Sequence, residues 1–191
     1  YNGWPTQVAM YMQDWYAANC ASPDPFTTCS NHNNTKVPNV LFGKRYAHTG
    51  DNFMGVGFYG GWYEYIGSRL TQPLQSGKTY NVSFYVSCSY EKKYASDALG
   101  IYFSDTAIKC TSGFGGPVLN YTPQIVQQSG VYLTDSLWTK VSGSFVADGG
   151  EEYIVFGCFK PWNTSTLFDL GTNKGSQCYY YVDDFVVEEA P

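Results

Sequence analysis

Carboxylates are the first side chains in this 191-residue chain that could do chemistry: Asp14, Asp24, Asp51, Glu64, Asp97, Asp105, Asp135, Asp148, Asp169, Asp183 and Asp184. Glycoside hydrolysis needs two of them roughly 5–10 Å apart across one bond. Only Asp183 and Asp184 are sequence neighbours, and adjacent side chains on a strand point to opposite faces. Imidazole bases are scarce. His32 lies in a polar, Asn-rich loop, His48 stands beside a Gly turn, and no Ser occupies a Gly-x-Ser-x-Gly setting. A lyase would need positive partners for an enolate, and Lys44, Arg45 and Arg69 are few for that purpose. These patterns argue against an enzyme.

Rings are the plentiful resource, with 18 Tyr, 12 Phe and 5 Trp. Phe58-Tyr59-Gly60-Gly61-Trp62-Tyr63-Glu64-Tyr65 packs five rings into eight residues around a Gly pair. On a strand those rings alternate between faces, so the core is not expected to take them all. Trp4, Trp15, Tyr16, Tyr90, Tyr94 and Trp162 fall in apparent loops or strand ends. Sugars present apolar C–H faces that stack on such rings, while Asn, Gln, Asp and Glu satisfy their hydroxyls. Trp138 and Tyr80 sit at alternating positions that suit packing. Trp62 and Trp162 divide evenly between binding platform and loop packing, and Glu64 reads equally as an exposed strand carboxylate.

The six cysteines, Cys20, Cys29, Cys88, Cys110, Cys158 and Cys178, show no Cys-x-x-Cys and no His at zinc spacing. Three disulfides in a secreted domain is the favoured reading, against a set of buried free thiols. Fifteen pairings exist. Cys20–Cys29 would close a small polar loop, Cys158–Cys178 would join the ends of a hairpin, and Cys88–Cys110 remains by elimination.

These side chains need a scaffold, and composition describes it. Only 14% of residues are charged, and the net charge is −5. Phosphate backbones would be repelled, so nucleic acid is excluded as a partner. No run of about 18 apolar residues exists to span a membrane. The start at Tyr1, without a signal peptide, reads as a processed or trimmed product. Residues 1–19 have a helical flavour, with Val8, Tyr11, Met12, Trp15 and Tyr16 at helical spacing, enough for one or two turns. Residues 20–40 read as a polar surface loop. From Leu41 onward the period is two, predicting strands near 41–48, 62–74, 79–89, 98–104, 138–147, 152–160 and 179–188. The fold class is all-β, a two-sheet antiparallel β-sandwich, with residues 1–191 as one domain.

Two stretches carry a family likeness. Leu70-x-x-Pro73-Leu74-x-x-Gly77-Lys78-x-Tyr80-x-Val82-Ser83-Phe84-x-Val86, with the closing run Tyr179 to Val187, resembles the strands of jelly-roll carbohydrate-binding modules. Most of the chain also resembles a domain of secreted and outer-membrane proteins of the Bacteroidetes, often found before OmpA-like or gliding-motility-type C-terminal regions. Asp24-x-Phe26-x-x-Cys29, Val37-Pro38-Asn39-x-x-Phe42-Gly43, Ala47-x-x-Gly50, Glu64-Tyr65-Ile66, Pro123-Gln124-Ile125, Trp138-x-Lys140-Val141-Ser142-Gly143-Ser144-Phe145 and Gly149-Gly150-Glu151 carry that likeness. Those relatives open with an Asn-Pro-Ser-Phe-Glu strand, so the resemblance implies that a first strand is missing here. An Asn usually stands in them at the position of Cys158.

The resemblance implies a jelly roll, a secreted or outer-membrane location, and a non-catalytic module that binds polysaccharide or a cell-surface glycan. The alternative is a structural or adhesive module contacting other surface proteins. Jelly-roll modules often hold a structural Ca²⁺ through a carboxylate of the last strand, which here would be Asp183 or Asp184. Tyr59, Trp62 and Trp162 are the expected stacking rings, with Glu64 and Asn163 as hydrogen-bond partners.

Overall fold

The computed structural model of the protein describes residues 13–191 except 112, 114 and 135. Trp4, Val8, Tyr11, Met12 and Asp135 therefore lie outside the described residues. Sixteen strands and no helix form among the described residues. The first eight are β1 (Trp15–Ala17), β2 (Asp24–Thr27), β3 (Thr35–Lys36), β4 (Asn39–Val40), β5 (Gly43–Lys44), β6 (Asn52–Tyr59), β7 (Trp62–Tyr63) and β8 (Tyr65–Arg69). They continue with β9 (Thr79–Cys88), β10 (Lys92–Ser96), β11 (Leu99–Ser104), β12 (Ile125–Val126), β13 (Thr139–Val146), β14 (Tyr153–Cys158), β15 (Leu167–Asp169) and β16 (Gly175–Glu189).

One sheet has the order β1-β8-β14-β11-β12, and the larger has β13-β9-β16-β6-β2-β3-β4-β5. Pairing is antiparallel except for β10–β16 and β2–β3. The result is the two-sheet β-sandwich that the period of two predicts. Between the sheets, Val82, Phe84 and Val86 of β9 and Val56 and Phe58 of β6 meet Ile101, Phe103 and Phe156 of the smaller sheet. Phe84 meets Phe156 edge-on at 5.2 Å, and Phe185 lies 5.6 Å from each of them. Each such ring contributes about 1.5–3 kcal/mol by leaving water.

A second core covers the outer face of the larger sheet. Phe26, Phe53, Tyr179 and Tyr181 pack there against Val37, Val40, Leu41, Phe42, Ala47 and Trp138. This layer explains two departures from the sequence reading, at 41–48 and at β6. The predicted strand 41–48 is reduced to β5, because the segment crosses the sheet face as a loop held by Leu41 N–H to Asn34 O and Arg45 N–H to Pro38 O. The long strand lies instead at β6, whose Gly55 and Gly57 resemble turn residues. A Cβ on Gly55 would stand 2.1 Å from the Tyr179 hydroxyl and 2.7 Å from the Phe26 ring, so only Gly fits. Trp15 and Tyr16 are strand residues rather than a helical turn, with Trp15 paired to Ser68. Likewise the predicted 62–74 strand breaks at Glu64 and ends at Arg69.

The disulfide expectations fail. The bridge is Cys20–Cys110, with Cα atoms 4.7 Å apart, and Cys29, Cys88, Cys158 and Cys178 are free. Between Cys20 and Cys29 runs β2, whose four extended residues alone cover roughly 13 Å and carry Cys29 away. Cys158 and Cys178 belong to β14 and β16, which lie in opposite sheets and form no hairpin. Cys88 is buried in the sandwich core, whereas Cys110 is exposed. Cross-linking residues 90 apart restrains the unfolded chain by about 4 kcal/mol in the loop-entropy account.

Burial pushes the Cys88 and Cys158 thiols up to about 12, and that of Cys178 upward as well. Peptide mapping without reduction should therefore give Cys20–Cys110 as the bridge. A thiol reagent near neutral pH should modify Cys29 in the folded protein and reach Cys88, Cys158 and Cys178 only after unfolding. Fast modification of a second thiol in the folded state would contradict this packing.

Candidate functional site

The aromatic segment of the sequence folds as a tight hairpin. Tyr59 of β6 pairs with Trp62 of β7 across Gly60-Gly61, and Gly61 takes φ 94°. Gly supplies that left-handed conformation without steric cost. Beyond the turn the chain leaves the larger sheet and enters the smaller one, and Glu64 stands at the crossing. Its N–H donates to Gly57 O at 3.0 Å. Its Oε2 accepts from Gly57 N–H at 2.7 Å, and its Oε1 accepts from Trp62 Nε1 at 3.4 Å and Ser22 Oγ at 3.3 Å. Glu64 is only 7% exposed, so the reading of an exposed strand carboxylate is corrected. Burial raises its pKa well above the usual carboxylate range, and the neighbouring Asp24 raises it further.

Asp24 opens β2 and is 3% exposed. Its Oδ2 accepts from the Tyr179 hydroxyl at 2.5 Å. The Tyr179 ring lies across β6 in the slot left by Gly55 and Gly57. Burial pushes the Asp24 carboxyl up to about 7, against the opposing pull of the Tyr179 hydroxyl and the Lys92 charge. Lys92 places Nζ 3.3 Å from the centroid of the Phe42 ring, a close cation–π contact.

These groups surround a cavity of about 220 Å³ lined by Ser22, Asp24, Leu41, Phe42, Gly57, Tyr59, Trp62, Glu64, Gln177 and Tyr179. Three of the expected site residues, Tyr59, Trp62 and Glu64, thus come together. Tyr59 is 38% exposed and Trp62 half-buried, whereas Phe58, Tyr63 and Tyr65 of the same segment enter the cores. The other two expected residues lie elsewhere. Trp162 packs on the sandwich core, its N–H donating to Tyr63 Oη at 2.5 Å and its ring edge-on to Tyr94 at 6.1 Å. Asn163 is exposed in the turn after Pro161. Asp24, Phe42 and Tyr179 were missed as site residues. The alternate glycines of Met54-Gly55-Val56-Gly57 are the sequence signal that could have pointed to them, since they empty one face of a strand.

Asp183 and Asp184 occupy a different place. A register shift in the β16–β9 pairing and φ 50° at Asp184 break the strand alternation, so both carboxylates face the His48–Thr49 segment. Asp183 accepts from His48 N–H and Asp184 N–H, each at 2.8 Å. Asp184 accepts from His48 Nδ1 at 2.5 Å and Thr49 Oγ1 at 2.6 Å. The His48 ring also stacks on Tyr85 at 3.6 Å. Donors surround these oxygens, whereas Ca²⁺ requires six to eight converging acceptors. Among the described residues no group of three His, Cys, Asp or Glu side chains gathers. The pair does not fit a Ca²⁺ and holds a loop instead.

A larger groove of about 700 Å³ runs past Trp15, Pro25, Met54 and Phe185. There Trp15 and Phe185 pack on each other at 5.0 Å, so their faces are occupied.

No protein-family model and no curated protein matches the chain. Solved structures do. The CBM22-2 xylan-binding domain of Paenibacillus barcinonensis Xyn10C is 13% identical, with a TM-score of 0.50 over 97% of this chain and 98% of that one. The CBM22-1 xylan-binding domain of the same protein is 14% identical, with a TM-score of 0.49 over 93% and 86%. The K1 cleaved adhesin domain of Lys-gingipain from Porphyromonas gingivalis W83 is 12% identical, with a TM-score of 0.46 over 94% and 93%. The first of these likenesses shows a shared jelly-roll fold.

Two outcomes follow from the site. Asp24 keeps its proton in the folded state up to about pH 7, while unfolded Asp releases it near its ordinary value of 3.8. Its contribution to stability is therefore full below that lower value and is lost as pH rises through about 7. Relative to wild type, Asp24→Asn should gain roughly 1–3 kcal/mol across that window in urea unfolding. Parallel pH curves for the two proteins would refute the assignment. Thermal melting should be indifferent to Ca²⁺ or a chelator, and a rise with Ca²⁺ would reinstate a metal at Asp183 and Asp184.

Proposed function

We propose that the chain is a non-catalytic glycan-binding module whose cavity at Tyr59, Trp62 and Glu64 seats a sugar ring. The observation that carries this reading is an exposed ring, Tyr59, and a half-buried one, Trp62, lining one cavity with carboxyls fixed by Gly57 N–H and the Tyr179 hydroxyl. The apolar side of a pyranose would lie along Trp62 and Tyr59, and Ser22, Gln177 and Asp24 would be partners for its hydroxyls. The jelly-roll likeness to a xylan-binding domain supports a polysaccharide or cell-surface glycan as the partner class. The Cys20–Cys110 bridge supports an oxidising, secreted or surface location. No helix among the described residues is long and apolar enough to cross a membrane.

Catalysis finds no support in the same geometry. Glu64 has both oxygens occupied by donors of its own chain, so it is not free to pass a proton to a leaving group. An adhesive module contacting protein partners would want a broad apolar patch. The exposed aliphatic and Phe side chains Val126, Val131, Leu137, Val146, Phe168 and Val186 fall on β12, β13, β15, β16 and the segment between β12 and β13.

Hydroxyls exchange water bonds for protein bonds at little net gain, so affinity is expected between about 1 mM and 1 μM. Screening on a glycan array and by calorimetry with soluble oligosaccharides should find such a ligand. Trp62→Ala should weaken it by about 1–3 kcal/mol with an unchanged circular dichroism spectrum. Normal binding by that variant would remove Trp62 from the site, and a blank array with folded protein would remove the function.

A further inference from the structure

The cavity beside Trp62 is walled by two carboxyl groups, more acidic groups than a neutral sugar requires. Asp24 and Glu64 are 3% and 7% exposed, and Glu64 feels the charge of Asp24. Glu64 has its oxygens occupied by Gly57, Trp62 and Ser22. Asp24 does not. Its Oδ2 accepts from Tyr179, but among the described residues nothing donates to its Oδ1, although the side chain stands in the cavity wall. That oxygen is not sealed in the interior but is open to an occupant of the cavity, and the group that satisfies a carboxylate oxygen best is a cation with N–H bonds. Lys92 is the cation near it, yet its ammonium sits over Phe42 and forms no ion pair within 4.0 Å among the described residues. That contact also shows the chemistry of this wall: its rings accept an ammonium on their faces. The remaining titratable groups of the wall, Tyr59 and Tyr179, bring no positive charge.

We propose that the cavity is specific for a sugar bearing a free ammonium group, such as a deacetylated hexosamine unit. Its ring would lie against Trp62 and Tyr59, and its ammonium would donate to Asp24 Oδ1. This inference rests on the cavity being a glycan site. A hydroxyl at the same position supplies one donor and no charge. An ammonium supplies three donors and a charge that favours the ionised form of Asp24 against the cost of burial. An N-acetyl group removes that charge and adds bulk in a space of about 220 Å³.

The test is calorimetry near neutral pH with short oligomers of equal length: glucosamine, N-acetylglucosamine and xylose. The glucosamine oligomer should bind about 10- to 100-fold more tightly than its acetylated form. The preference should persist in about 0.5 M salt, where attraction between a polycation and the acidic surface is screened. Asp24→Asn keeps an acceptor for the Tyr179 hydroxyl, so it should fold, lose the preference and retain the weaker binding of neutral oligomers.

Equal affinity for the two hexosamine forms would overturn the proposal, as would a preference that salt abolishes or that Asp24→Asn retains. Trp62-dependent binding of the neutral oligomers in those cases would leave the glycan-module reading standing. Binding of none of the three by folded protein would overturn both. If Asp24→Asn does not fold, the salt series on the wild-type protein decides.

Discussion

Burial of both faces of β16 is the constraint from which most of this structure follows. Tyr179, Tyr180 and Tyr181 are successive residues, each at most 2% exposed, so their rings point alternately into two different cores. Each ring brings a hydroxyl that must find a partner in a dry environment, since an unmet one costs about 1–3 kcal/mol. Tyr180 receives a bond from Ser96 N–H at 2.8 Å, Tyr181 donates to Leu41 O at 2.8 Å, and Tyr179 donates to Asp24 at 2.5 Å. Those three bonds tie β10, the loop before β5 and the start of β2 to one central strand. A sandwich with one wet outer face would have needed only the Tyr180 bond.

The candidate site is a by-product of satisfying that strand. The slot for the Tyr179 ring is cut by Gly55 and Gly57, and closing it places Asp24, Phe42 and Glu64 around a small cavity. Asp24 and Glu64 carry raised proton affinities because burial disfavours their charges. Such groups do little for the stability of the fold at neutral pH, and concentrations of them mark places where function outweighs it. The same sheet shows the opposite case at Asp184. Its carboxylate is held below the ordinary range by His48 and Thr49, against the opposing effect of burial, and there it serves as a clip.

The sandwich was legible from the sequence because its evidence is local. Tyr80, Val82, Phe84, Val86 and Cys88 alternate with polar residues, and a strand with one wet face writes that period into its own residues. The cluster of rings around Gly60-Gly61 was legible too, and with it the sequence neighbourhood of Tyr59, Trp62 and Glu64. Composition likewise argued against nucleic acid, because a deficit of Lys and Arg needs no coordinates to interpret.

Tertiary structure decided whatever depends on which distant segments share a face. The second core hid β6, because a strand buried on both sides shows no alternation and its glycines resemble a turn. Cysteine pairing escaped for the same reason: Cys20 and Cys110 lie 90 residues apart in sequence and adjacent in space. Trp162 and Trp62 were indistinguishable as loop tryptophans until packing sent one to the core and left the other beside the cavity. Asp24 and Glu64 are 40 positions apart, and only the crossing of the chain between sheets at Glu64 sets both carboxylates in one wall. A sequence records the period of each strand; the meeting of side chains across strands is a property of the closed sandwich.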